Sequence, residues 1–420
     1  MGTGTARDLA RDSGAVVHVG TPARGEAIPS VRTRLRAASR CAPLVVPFRR
    51  RVAYVGWLGR SNMGDEAMFA ALHRAFSGLR FVQPPSQRAF QVIDAMTPHR
   101  LLDGVMLGGG TLVGWPGHRW TLSRMIELTD CPAVTVGVGV EDPDFLERDT
   151  RLSQSIAEAQ RRLGASATSA RGRAPLEREL ERWASLLAGF HRVSVRGPRS
   201  QEILRTAGVH AEVVGDPALL LADSRPREDV ADRLLGLNVG VTRATWGDPG
   251  RVFDAVETFA ASMLRRGWRI RFLPVWPNDV PAIEAIAGRL GSRVEVFEDF
   301  LKLEKLMGAI RECRVFVGQK LHSVVLASGV YVPSVMLEYQ PKCRDFQRSI
   351  GREEFTIRAD VVDSLKLTRM VQDLDDGYLE HRAAVVAGVA TLRARLRGEV
   401  EAIERILGKR EDRGAGPRGW

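Results

Sequence analysis

Cysteine is scarce in this chain. Its 420 residues hold four, Cys41, Cys131, Cys313 and Cys343, far apart and without a CxxC pair, so neither a disulfide framework nor a zinc site is indicated. Long apolar runs are missing as well. The longest uncharged apolar stretch, 323–337, is interrupted by Ser328, Gly329, Pro333 and Ser334 and falls short of the roughly 20 residues that span a bilayer. The first residues contain no apolar segment fit for secretion, and Ala6 breaks the myristoylation pattern that Gly2 would open. A cytoplasmic protein with reduced thiols is the expectation. Aromatic residues make up 6% of the chain, and nowhere do they interleave with a basic stripe of the kind that tracks a phosphate backbone.

What is abundant is positive charge, +11 overall, but it is unevenly spread. Residues 1–50 carry nine Arg against three acids, and residues 382–420 carry nine basic against five acidic side chains, which leaves +1 for the 331 residues between. A nearly neutral body with basic ends argues against a nucleic-acid partner. The ends either attract an anionic membrane surface, at about 1 kcal/mol per well-placed cation, or form solvated tails.

The length suits two domains with flanking segments. Residues 1–50 lack periodicity and are expected to be a disordered basic leader. From Arg51 onward short apolar runs alternate with helical stretches, the pattern of βα units and a parallel sheet. Strands are expected at 52–57, 104–107, 133–138, 193–195 and 213–214, then, past a polar linker at 223–229, at 237–241, 270–273, 294–296, 315–317 and 334–337. The boundaries that follow are 51–228 for a first Rossmann-like domain, 229–363 for a second, and 364–420 for C-terminal helices and a tail. A helical insertion is expected at 149–187. The fold class is therefore α/β, two doubly wound domains facing a cleft into which the carboxyl ends of the strands deliver their side chains.

Four motifs sit at such strand ends. In G-W-L-G-R-S-N-M-G-D-E-A (56–67), three glycines let a ligand approach the backbone, and Asn62 or Asp65 can cap the following helix. The spacing matches neither GxGxxG nor a P-loop. In L-G-G-G-T-L (107–112), Gly109, Gly110 and Thr111 either cradle an anion on backbone N–H groups or simply turn the chain. In V-S-V-R-G-P-R-S (193–200), a short strand presents Arg196, a forked donor suited to carboxylate or phosphate, ahead of a helix opened by Pro198. The segment G-D-P-A-L-L-L (215–221) reads as structural, with Asp216 facing the cleft at most. In F-V-G-Q-K-L-H-S (316–323), Lys320 and His322 stand at a strand-to-helix junction, an anion-binding geometry with a proton donor beside it. Downstream, Lys342 can touch an anionic substrate and Trp276 can stack on a sugar, although loop packing or solvent exposure is the simpler reading of both.

Taken in order, G-x-x-x-x-x-N-x-G-D-E-A, the G-G-G-T strand end, S-V-R-G-x-x-S-x-x-x-L-x-x-x-G, G-D-P-A-L-L and L-H-S-x-x-L-A-x-x-x-G-x-P resemble the polysaccharide pyruvyl transferase family over roughly 52–351. The resemblance implies a fold similar to the two-Rossmann GT-B glycosyltransferases. It also implies transfer of pyruvate from phosphoenolpyruvate to two hydroxyls of one sugar, as a cyclic ketal on a cell-envelope or exopolysaccharide unit. The family's functional residues fall on Asp65, Arg196 and His322. The family often has Arg where this chain has Lys320, so a point charge replaces a bidentate fork.

These implications assign His322 as general acid and Asp65 as base toward the sugar. Arg196 and Lys320 would hold the donor's carboxylate and phosphate, with Asn62, Gly64, Gly109, Gly110, Thr111 and Lys342 completing the binding surface. Phosphoenolpyruvate is then a substrate; no cofactor or metal is required. The acceptor is a sugar, lipid-linked in one version, with peripheral contact at the inner face of the membrane. Two rivals stand beside this reading. A nucleotide-sugar glycosyltransferase shares the architecture, but no carboxylate lies between His322 and Glu338 to grip a ribose. A non-catalytic scaffold for polysaccharide assembly would have no need of Asp65, Arg196 and His322 together.

Overall fold

The computed structural model describes residues 50–84, 102–148, 150–163, 174–226, 233–242 and 244–408. The leader, the end of the 223–229 linker, the middle of the expected insertion and the tail after residue 408 lie outside the described residues. The first unit contains strands β1 (Arg50–Val55), β2 (Leu79–Val82), β3 (Gly104–Leu107), β4 (Gly110–Val113), β5 (Ala133–Thr135), β6 (Val138–Val140), β7 (Ser194–Val195) and β8 (Glu212–Val213). Its helices are α1 (Met63–Ala75), α2 (Pro116–Thr129), α3 (Pro143–Arg148), α4 (Thr150–Arg162), α5 (Ala174–Leu187) and α6 (Pro198–Thr206), followed by a 3₁₀ turn at Pro217–Leu221.

All strand pairs in this unit are parallel, in the orders β2-β1-β3-β5 and β4-β6-β7-β8. The chain passes from the first ladder to the second at two glycine-containing steps, between β3 and β4 and between β5 and β6. Gly110 has φ +102° and Gly137 φ +58°, and a Cβ at Gly137 would overlap the Gly215 carbonyl. Glycine is needed there for both torsion and space. The expected strand 133–138 is thus two strands with a kink, and the glycine run at 108–110 leads into β4, where the local sequence predicts only a strand end.

The second unit is a six-stranded parallel sheet made of β9 (Leu234–Asn238), β10 (Arg269–Phe272), β11 (Val294–Val296), β12 (Val315–Gly318), β13 (Ser334–Glu338) and β14 (Thr356–Arg358). Its order, β11-β10-β9-β12-β13-β14, is the doubly wound one, with the topological switch between β9 and β12. The helices are α7 (Pro249–Arg265), α8 (Val280–Leu290), α9 (Leu303–Arg311), α10 (Leu321–Gly329), α11 (Pro341–Ser349), α12 (Ser364–Asp376) and α13 (Tyr378–Gly408). The strand expected at 237–241 ends at Asn238, so Gly240 and Val241 belong to the loop beyond the strand.

Three apolar clusters hold these parts together. One lies under α2, α4 and α5, and another under α7, α8 and α12. The third is shared by both units: Met68 and Leu72 of α1, Leu219 of the 3₁₀ turn, Val324 and Ala327 of α10, and Leu392 and Leu396 of α13 are all at most 1% exposed. Helix α13 spans about 46 Å at 1.5 Å per residue. It passes Ile350 and Gly215 and ends with Leu407 on Gly104 and with the Gly408 carbonyl accepting from Arg50 Nη2, 3.2 Å. Glycine at 104, 215 and 388 lets the helix approach backbone closely. An interface this apolar restrains the relative motion that two domains otherwise show. Among the described residues, no helix is long and apolar enough to cross a membrane.

Candidate active site

In a parallel sheet each strand hands over to a helix at its carboxyl end, so helix N-termini gather on one side of it. Here α1, α6, the 3₁₀ turn, α10 and α11 begin on the sides where the two sheets meet. Asn62 caps α1 by accepting from Gly64 N–H at 3.1 Å. Asp216 caps the 3₁₀ turn by accepting from Ala218 N–H at 3.0 Å with Oδ1.

The second oxygen of Asp216 is the centre of the cluster. Its Oδ2 lies 3.5 Å from Arg196 Nη1 and 3.4 Å from His322 Nε2. Arg196 Nη2 donates to Thr111 Oγ1 at 3.2 Å, and Nε has no partner. Both Arg196 and Asp216 are buried, at 1% and 0% exposure. A Cβ at Gly139 would stand 2.7 Å from Arg196 Nη2, so glycine there makes room for the guanidinium. Burial alone would raise the Asp216 carboxyl, but His322 and Arg196 outweigh it and hold the group below its ordinary range. Asp216 therefore remains a carboxylate, with His322 Nε2 facing it. The other ring nitrogen, Nδ1, lies against Gly64, where a Cβ would overlap it.

Asp65 sits in the first turn of α1 and is buried. A Cβ at Gly110 would be 3.4 Å from its Oδ1. Desolvation is the largest influence and pushes the carboxyl up to about 6; His322 and Lys342 pull it down, while Asp216 and Glu66 push it further up. Lys342, at the start of α11, is half-buried with its ammonium 4.8 Å from the Tyr339 ring centroid. Burial lowers its pKa, opposed by Glu141 and Asp65 and reinforced by Arg196. Glu141 is itself buried, raised by desolvation, and accepts from Trp115 Nε1 at 2.9 Å.

The structure thus brings together Asp65, Arg196, Thr111, His322 and Lys342, with Gly64, Gly109 and Gly110 beneath them. Gly109 is required by packing, since a Cβ there would overlap Met68 Sδ. Lys320 makes its own side-chain contacts within the second unit. Its ammonium lies 3.3 Å from Asp279 Oδ1, donates to the Val241 carbonyl and stands 5.2 Å from the Trp276 ring centroid. Trp276 is tied to the first unit through Nε1 donating to the Arg60 carbonyl, 3.1 Å, and its ring is 6.2 Å from that of Trp57.

Sequence reasoning missed three acidic residues. Asp216 was read as structural because an Asp-Pro pair at a turn start explains itself as a cap; only the fold shows where its second oxygen points. Glu141 follows β6, a strand end hidden by the misplaced boundary. Asp345, on α11, accepts from Arg199 N–H (2.7 Å), Ser200 N–H (3.3 Å) and Ser200 Oγ (2.8 Å), so the second unit caps the first unit's α6. A Cβ at Gly197 would overlap its carboxylate. The Gly and Ser of V-R-G-P-R-S therefore serve a cross-domain latch next to Arg196.

A model of the family described as polysaccharide pyruvyl transferase matches residues 62–341. No curated protein matches the chain. Among solved structures, a UDP-GlcNAc 2-epimerase from Neisseria meningitidis bound to UDP-GlcNAc aligns with TM-score 0.52 and 8% identity over 85% of this chain and 100% of that one. A UDP-glucosyltransferase from Polygonum tinctorium gives 0.52 and 11% over 87% and 100%, and S. aureus MnaA with UDP gives 0.54 and 11% over 86% and 97%. At such identities the likeness is one of fold, the two-domain GT-B architecture.

Proposed function

Because the chain belongs to the polysaccharide pyruvyl transferase family, we propose that it transfers pyruvate from phosphoenolpyruvate to two hydroxyls of one sugar, forming a cyclic ketal on a cell-envelope or exopolysaccharide unit. The observation that carries this reading is the convergence of Asp65, Asp216, Arg196 and His322, from four segments far apart in sequence, with Lys342 beside them. The donor is the enol phosphate of pyruvate, an enol ester of phosphate that also bears a carboxylate. Its methylene carbon takes a proton, and the adjacent carbon becomes oxocarbenium-like. One sugar hydroxyl adds there and loses its proton. The carbon–oxygen bond to phosphate then breaks, and the second hydroxyl takes the phosphate's place, its proton passing to the departing phosphate. The net products are the ketal and inorganic phosphate.

Each step has a residue suited to it. His322, with Nε2 directed to Asp216, gives the proton from Nδ1, the nitrogen that the missing side chain of Gly64 leaves room for. Asp65, raised to about 6, is ionised at neutral pH yet more basic than an ordinary carboxylate, as a base toward a hydroxyl needs to be. Lys342, Lys320 and the partly satisfied guanidinium of Arg196 supply positive charge for the donor's carboxylate and phosphate, and the helix N-termini add to it. The acceptor's lipid linkage and a peripheral position at the inner face of the membrane are part of the same proposal.

The test is thermal unfolding of the protein with phosphoenolpyruvate and, separately, with UDP-sugars. A ligand that binds only the folded state stabilises it by about 2.7 kcal/mol at a hundredfold excess over Kd. Stabilisation by phosphoenolpyruvate, reduced in Lys342→Ala, is expected. Stabilisation by a UDP-sugar alone would refute the donor assignment in favour of glycosyl transfer, and stabilisation by neither would favour the scaffold role.

A further inference from the structure

Lys320 is held on both its main chain and its side chain by residues of the second unit. Its N–H donates to Asn238 Oδ1 at 3.0 Å, while Asn238 Nδ2 donates to the Leu273 carbonyl at 2.9 Å, so one buried side chain ties the ends of β9, β10 and β12 together. Asp279 follows β10 and is 0% exposed. Among the described residues its one ion-pair partner is Lys320. The backbone at Gly240 presses on the pair: a Cβ there would overlap Asp279 Oδ1 and stand 2.8 Å from Lys320 Cε. The Trp276 ring closes one side of the ammonium.

This arrangement stands at the switch between β9 and β12, where a doubly wound sheet receives its ligand. An ammonium has three N–H bonds. The Val241 carbonyl takes one of them, and Asp279 faces the ammonium as an ion pair. A lysine on a four-carbon stem otherwise samples many directions, and a fixed direction is what turns a cation into a specific contact.

We propose that Asp279 is the positioning residue for Lys320: paired with the ammonium beside the Val241 carbonyl, it fixes the direction in which the remaining N–H bonds meet an anionic group of the donor. The inference rests on the donor reading given above. Asp279 touches no substrate; it acts through Lys320, which explains why a carboxylate is buried beside a site that must bind an anion.

Binding of phosphoenolpyruvate is measured by calorimetry for the wild type, Asp279→Asn, Lys320→Met and the double variant, each checked for folding by circular dichroism. Loss of one charge-assisted hydrogen bond weakens binding about tenfold or more, so Lys320→Met is expected to bind at least tenfold more weakly. Asp279→Asn is expected to show a similar loss, and the double variant to match Lys320→Met. Asp279→Asn leaves a cation without its partner and is the variant most prone to misfold. The double variant removes both charges, so its comparison with Lys320→Met decides the matter even then. A further loss from Lys320→Met to the double variant, or wild-type affinity in a folded Asp279→Asn, overturns the inference while the donor reading stands. Absence of binding by the wild type itself overturns the donor reading and this role with it.

Discussion

Replacing Asp65 by Asn should make the protein more stable and inactive at once. Asp65 is 7% exposed, and desolvation, stronger than the attraction of His322 and Lys342, lifts its carboxyl from 3.8 to about 6. At 1.36 kcal/mol per pKa unit this corresponds to about 3 kcal/mol of folding free energy. The sign follows from which form the fold disfavours. Below the unfolded value both states are protonated and nothing is lost; as pH rises through about 6 the buried group must ionise, and the stability present in acid disappears. Asparagine never ionises. At pH 8 the variant should therefore be up to about 3 kcal/mol more stable, which with roughly 2.1 cal/mol/K per residue of unfolding entropy means a Tm about 3 °C higher. Near pH 4.5, between the two pKa values, the difference should shrink to about 1 kcal/mol. Denaturant titrations at the two pH values measure it, alongside phosphate release from phosphoenolpyruvate in the presence of acceptor. A variant no more stable than wild type at pH 8, or a gain that persists undiminished at pH 4.5, would refute the burial argument. Near wild-type turnover would refute the role of Asp65 as base.

Asp216→Asn should behave oppositely: the carboxylate is held below its ordinary range, so its contribution is present above pH 4 and lost in acid, and its removal leaves Arg196 buried without a counter-charge, a loss of about 3–5 kcal/mol at neutral pH. Equal stability of variant and wild type at pH 7 would contradict this. Gly64→Ala places a methyl in the His322 ring; steady-state kinetics should show a drop of about 100-fold in turnover, as for a misplacement of roughly 1 Å, and unchanged turnover would show that the ring can move without consequence. Asp345→Ala removes three hydrogen bonds across the domain interface and strands donors at the start of α6; chemical denaturation should register a loss of about 2–3 kcal/mol, whereas a loss below 0.5 kcal/mol would mean that water replaces the latch.

Much of the fold is legible in the chain because its causes are local. Runs such as V-F-V-G and S-V-M-L-E are apolar on both faces, as strands covered by helices must be, and they appear as β12 and β13. Three strands escaped: β2 and β14 are short edge strands, and β4 hides in a glycine run that reads as a turn. The expected β9 was placed three residues late, because L-N-V-G-V continues the apolar run beyond the point where Asn238 leaves the ladder for a side-chain clamp.

What the amino-acid sequence alone determined was which residues stand at strand ends and helix starts, since alternation, glycine and helix caps act within a few positions. Asp65, Arg196, His322 and Lys342 stand at such positions. Only the tertiary structure decided which of them meet. The second oxygen of Asp216 reaches Arg196 and His322 across 20 and 106 positions of chain, and Lys320, two residues from His322, pairs with Asp279. These directions follow from how α1, the 3₁₀ turn, α10 and α13 pack around one shared apolar core, and close packing between segments so far apart is a property of the whole chain.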